Sequence, residues 1–208
     1  MQSTTYKLTE FFIFFILIPI SFVLSFPVWI KMGLSITGFI YVIYVLLKIE
    51  KNKFKIKEDL HWKLFFKATT IKFIIIAIIT TVFVYLLEPS NLFKVLVNKP
   101  LLWLVLLVVY SVFSVYPQEL IYRTFYFQRY ESLFKNKNVF IFLNATVFCL
   151  AHLFFRNVLV IIITFFGGLL FAFTFNKTKS TLLVTIEHAV YGCWLFTVGM
   201  GELLGFPS

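Results

Sequence analysis

Read for polarity alone, the chain is a series of long apolar runs separated by short polar stretches. Runs such as Phe11 to Ile30 and Leu101 to Tyr116 leave no polar face at either the helical or the strand period, the pattern of a helix surrounded by apolar material on every side. Several are long enough to cross the roughly 30 Å hydrocarbon layer of a bilayer. The pattern predicts spans near residues 11–30, 33–48, 64–87, 100–116 or beyond, 139–155, 158–175 and 181–203. Seven is the favoured count, with six and eight as neighbouring solutions. The fold class is therefore all-α, a polytopic transmembrane helical bundle. No linker rich in Pro, Gly or Ser, no charge block and no internal repeat divides it, so residues 1–208 read as a single membrane domain.

Composition sharpens this. With 61% hydrophobic and only 13% charged residues, a soluble domain would lack the polar surface it needs. Cys149 and Cys193 lie in apolar surroundings without CxxC spacing, which argues for small core residues rather than a disulfide framework or thiolate metal site. The net charge of +10 is unevenly placed: Lys48, Lys51, Lys53, Lys55, Lys57 and Lys63 crowd one loop, which the positive-inside rule assigns to the cytoplasm. That choice puts the N-terminus inside, EPSNLFKVLVNKP outside, and the stretches holding Arg129, Lys135, Lys137, Lys177 and Lys179 inside. A basic juxtamembrane loop signals topology and contacts anionic lipid; it lacks the folded surface of a groove reader, so nucleic acid is not expected as a partner. The first apolar stretch continues to Ile30 without a small-x-small cleavage site and reads as a retained span. Short loops and small size suit a prokaryotic cytoplasmic membrane.

Of the acidic residues, histidines and arginines, six fall outside loops and span edges: Glu119, Arg123, His152, Arg156, Glu187 and His188. Each costs a few kcal/mol or more in hydrocarbon, so a membrane protein keeps such groups where they pair or line a wet cavity. Glu119 and Arg123 stand i and i+4 in QELIYR and can pair across one helix face; Phe148 and His152 repeat the spacing in FCLAH, placing an aromatic wall beside an imidazole. His188 opens HAVYG, with Tyr191 and Gly192 on its side of the helix and Gly192 leaving room for another backbone. Bland readings compete: a register-fixing ion pair for Glu119 and Arg123, a snorkelling cap for Arg156 beside Asn157, and close helix packing for the stripe Gly167, Gly168 and Ala172.

The order QELIYR, FCLAH and a histidine in a late span resembles the CAAX protease and bacteriocin-processing family, type II CAAX prenyl endopeptidase-like, whose motifs run EExxxR, FxxxH and HxxxN. The resemblance covers roughly residues 100–203. It implies an intramembrane endopeptidase acting on a prenylated or membrane-tethered peptide or protein. A glutamate and a histidine would activate the attacking water, while a second histidine and an asparagine bind the oxyanion. Glu119 and Arg123 fall on the second Glu and the Arg of the first motif, Phe148 and His152 on the second motif, and His188 on the third.

Two positions depart from that pattern. Gln118 stands where the family has its first glutamate, and Gly192 where it has asparagine. A glutamine amide can orient a water but cannot accept its proton. Three accounts stay open: Glu119 takes over as base, although pairing with Arg123 would make it a poorer one; Glu187, beside His188, supplies the carboxylate; or the chain only binds a membrane segment in a protease fold. A zinc set of His152, His188 and Glu119 and a metal-free mechanism are both open. HExxH and a GxSG nucleophile turn are absent from the sequence. A proton- or ion-coupled transporter is the further rival, weakened because no inverted repeat is visible.

Overall fold

Proline and glycine decide where the first two apolar runs break. Lys31 to Gly33 would divide them by polarity, but the chain turns earlier: α1 spans Thr4–Ser21 and α2 spans Val28–Ile49, with Pro27 at the N-cap of α2. Pro suits a helix start because its missing N–H is an orphan there in any case. Lys31 thus lies inside α2 and turns its Nζ back to the Phe22 carbonyl at 2.7 Å, which corrects the expected 11–30 and 33–48 boundaries.

The protein is described here by a computed structural model covering residues 3–56 and 58–205; Lys57 of the lysine loop lies outside the described residues. No strand occurs among them. After α1 and α2 come α3 (Trp62–Leu87), α4 (Pro100–Leu133), α5 (Lys137–Phe155), α6 (Val158–Thr178) and α7 (Thr181–Val198), and all seven are long and apolar enough to cross a membrane. The fourth takes the longer course that 100–116 or beyond allowed, running straight through Pro117 to Leu133. Pro117 cannot donate the intrahelical bond its position calls for. The helix meets this with a π-helical turn at Tyr110–Val115 just before it and a second at Leu120–Phe125 just after. The same device precedes Pro19 in α1, where Ile13–Leu17 is π-helical. Such turns accommodate an unbonded position without ending the helix.

The chain divides into two compact units. One comprises residues 1–56 and 120–179, holding α1, α2, the second part of α4, α5 and α6. Here α5 and α6 pack so closely that a Cβ on Gly168 would meet the Ala145 Cα at 3.1 Å, the small-residue contact expected of that stripe. Phe15, Phe125, Tyr126 and Tyr130 fill the interior with edge-on ring contacts. Within it Arg129, almost fully buried, holds Glu10 through Nε at 2.7 Å and Nη2 at 3.1 Å, and Glu50 through Nη1 at 2.9 Å. Tyr130 and Tyr41 donate to the two oxygens of Glu10 at 2.6 and 2.5 Å.

The other unit comprises residues 57–119 and 180–208, with α3, the first part of α4 and α7. Lipid tails are as apolar as leucine, so helices here gain little from hydrophobic burial and are joined by packing and hydrogen bonds. Trp194 Nε1 donates to Thr80 Oγ1 of α3, and Trp103 Nε1 of α4 donates to Thr197 Oγ1, both at 2.9 Å. Leu60, Phe65 and Leu183 close one end as a small apolar cluster.

Candidate active site

Ser180 begins α7 by accepting from the Leu183 N–H, and from that start the helix presents two polar stripes. Residues adjacent in sequence point about 100° apart on a helix, so Glu187 and His188, though neighbours, serve different groups.

His188 faces α4. Its Nδ1 lies 2.7 Å from Oε1 of Glu119 and its Nε2 lies 3.2 Å from the Tyr110 hydroxyl. Glu119 is wholly buried and His188 only 6% exposed. A carboxylate can only accept, so Nδ1 carries a proton toward Glu119, and the tautomer with that proton has its lone pair on Nε2. This is a carboxylate-oriented imidazole, the arrangement that prepares a histidine to take a proton. Gln118, one residue before Glu119, donates through Nε2 to Ser114 Oγ at 2.8 Å, and its amide oxygen is buried with no hydrogen-bond partner among the described residues. That oxygen is an acceptor suited to a water or an N–H, in keeping with what a glutamine can do where a glutamate is expected.

Glu187 turns the other way, toward α3. Its Oε1 pairs with Lys72 Nζ and accepts from the Tyr191 hydroxyl at 2.9 Å, with the Thr69 carbonyl 3.2 Å from the same hydroxyl. Tyr191 therefore stands with Glu187, one turn away, rather than with His188. Lys72 is the partner that polarity along the sequence hides, since one lysine in α3 reads as a span edge. Glu187→Gln is expected to leave peptide cleavage within about threefold of the parent while lowering the thermal midpoint, because it removes a charge that Lys72 needs and leaves the histidine dyad intact. A loss of turnover without loss of stability would return Glu187 to the list of bases.

The remaining predicted residues belong to the first unit. Arg123 is fully buried; Nη1 donates to the Tyr122 carbonyl at 3.3 Å and Nη2 to the Gly168 carbonyl at 3.4 Å. Its guanidinium also lies over the Phe148 ring at 4.8 Å and the Phe171 ring at 5.7 Å, contacts that favour a desolvated cation. His152 sits where α5 gives way to its terminal 3-10 turn, Leu153–Phe155. Its Nδ1 donates to the Phe148 carbonyl at 2.8 Å, and the Phe148 ring stands 4.8 Å from the imidazole. A carbonyl can only accept, so here too Nδ1 carries a proton. Arg156 adopts a left-handed backbone and donates to the Val23 carbonyl at 2.7 Å, while Asn157 caps α6 through the Leu159 and Val160 N–H groups. These are helix-end roles.

Among the described residues no group of three or more His, Cys, Asp or Glu is placed to hold a metal ion. Both ring nitrogens of His188 are engaged by protein groups, so the Glu119–His188 pair by itself does not fit a zinc centre.

The motif residues and both stripes of α7 fall inside one stretch that has a counterpart among known proteins. A family model described as Type II CAAX prenyl endopeptidase Rce1-like matches residues 100–194. Over that stretch the chain resembles Rce1-like endopeptidases. No curated protein and no solved structure matches it. The Rce1-like stretch begins with α4 and ends within α7, taking in Tyr110, Gln118, Glu119, Arg123, both membrane histidines and Gly192. Together with the seven apolar helices it points to an integral membrane protein, similar over that stretch to Rce1-like CAAX endopeptidases. Tyr110 is the residue that motif reading missed: a tyrosine in an apolar run carries no signal separating it from core or interface aromatics.

Proposed function

We propose that the chain is an intramembrane endopeptidase that hydrolyses a peptide bond in a prenylated or membrane-tethered substrate. The observation that carries this reading is the buried Glu119–His188 pair, joined at 2.7 Å, at positions the Rce1-like stretch includes. A carboxylate held out of water against Nδ1–H makes Nε2 the basic end of the imidazole and stabilises the imidazolium formed when it takes a proton. Gln118, unable to take a proton itself, supports the same step by offering its amide oxygen to the attacking water. The base is thus a histidine oriented by Glu119 rather than the glutamate usual in the family. His152 is the second imidazole that the resemblance implies for the reaction. The substrate's lipid holds its tethered end in the bilayer, which raises the local concentration of the scissile bond for an enzyme confined there.

The lysine loop between α2 and α3 supports an N-terminus on the cytoplasmic side of a prokaryotic membrane. The purified full-length protein, in detergent or proteoliposomes, is expected to release the C-terminal fragment of a farnesylated peptide. His152→Ala and His188→Ala are each expected to abolish release while keeping a cooperative thermal transition. Undiminished cleavage in either folded variant would remove that histidine from the reaction. A parent protein that binds the peptide without cleaving it would favour the reading in which the fold is retained for binding.

A further inference from the structure

Gly192 is one turn after His188, and what it lacks is as informative as what its neighbours carry. A Cβ placed there would overlap the Tyr110 hydroxyl and ring atoms, an overlap neither a ring nor a helix backbone can absorb by small shifts. The absent side chain is what lets Tyr110 of α4 lie across α7. In that seat the ring packs edge-on against Phe196, with centroids 5.1 Å apart, and the hydroxyl reaches His188 Nε2 at 3.2 Å. The hydroxyl thus occupies the one nitrogen that has to receive a proton.

We infer that Tyr110 is a further catalytic residue, a phenol that relays the proton between the reacting oxygen and His188. The inference rests on the hydrolase reading above. As the water oxygen bonds to the carbonyl carbon, the breaking water O–H gives its proton to the Tyr110 oxygen, and the tyrosine's own proton passes to Nε2. The carbonyl π pair moves onto oxygen. The imidazolium is held by the Glu119 carboxylate on Nδ1. When the C–N bond breaks, the same path run backwards delivers the proton to the departing amine, leaving tyrosine and imidazole as they began. A phenol suits this task because its O–H is at once donor and acceptor.

Tyr110→Phe tests it, since phenylalanine keeps the ring in its seat and removes only the relaying oxygen. The expected result is a fall in kcat of about 10²-fold with KM within about threefold, the split of a group used in the transition state. A kcat within about threefold of the parent would overturn the relay. A second measurement is independent of turnover: the imidazole ¹⁵N shifts of His188, assignable because the chain has three histidines. Tyr110→Phe is expected to move the Nε2 resonance; an unchanged resonance would show that the hydroxyl does not bond to it. If the parent cleaves nothing but the resonance moves, the hydrolase reading fails and the Tyr110–His188 bond stands. The seat itself is tested by stability. Gly192→Ala is expected to lower the thermal midpoint in the parent but not in a Tyr110→Ala background, and equal losses in both would place the ring elsewhere.

Discussion

Glu119→Gln is expected to lower kcat/KM for the farnesylated peptide by about 10²- to 10⁴-fold, the range lost when a positioned proton-transfer system is disabled. The substitution is chosen because so little else changes. Glutamine has nearly the shape of glutamate, and its amide oxygen can still accept from His188 Nδ1–H, so the tautomer and the ring orientation survive. What goes is the negative charge opposite the imidazolium, in a position with no exposure to solvent. In so dry a setting that charge is worth far more than it would be in water. The thermal midpoint is expected to stay close to the parent or to rise, since a buried charge is replaced by a neutral group. A folded Glu119→Gln protein cleaving within threefold of the parent would end the carboxylate–imidazole mechanism. The measurement needs only steady-state rates and a melting curve on the same preparation.

The largest effect on stability is expected at Arg129, which shares α4 with Glu119 but not its role. Arg129→Met removes the cation that Glu10 meets with both oxygens and Glu50 with one. Two carboxylates that were brought together by a buried guanidinium then face each other without it. Breaking a buried ion pair from one side costs about 3–5 kcal/mol, because the remaining charge is stranded. Methionine fills much of the same volume, so the loss reports charge rather than a cavity. Arg129→Met combined with Glu10→Gln is expected to recover part of the deficit, a coupling that a double-mutant cycle on thermal or proteolytic stability reads directly. Equal and additive losses would mean that the three charges do not act as a cluster.

Seven apolar helices were legible because hydrocarbon forces each crossing segment to be long, continuous and apolar, and nothing about partners is needed to see that. The break between α1 and α2 was misplaced because lysine looks like a boundary while proline decides one. A long side chain such as Lys31 can run back along the helix to a carbonyl, whereas Pro27 fixes where the new helix starts. Pro117 ends no helix, since a π turn on either side lets α4 continue.

The site was legible where chemistry is local to a motif: Phe148 against His152, and the polar residues of α4 and α7 as a set. Its pairings were not. Spacing along one helix offers Tyr191 to His188, but Tyr191 is found with Glu187, and Glu119 is joined to His188 across two helices. Glu10 and Arg129, set aside as belonging to the edges of spans, prove to be a buried pair 119 residues apart in sequence. No periodicity connects positions so distant.

The seat of Tyr110 over Gly192 has a consequence for how related sequences vary. Positions 110 and 192 compete for a single volume, so a tyrosine at the first and any side chain at the second exclude each other. A chain with asparagine at 192 is therefore expected to seat no tyrosine ring from position 110 there. A polar group that a motif scan records as missing from one helix is then to be sought on the other.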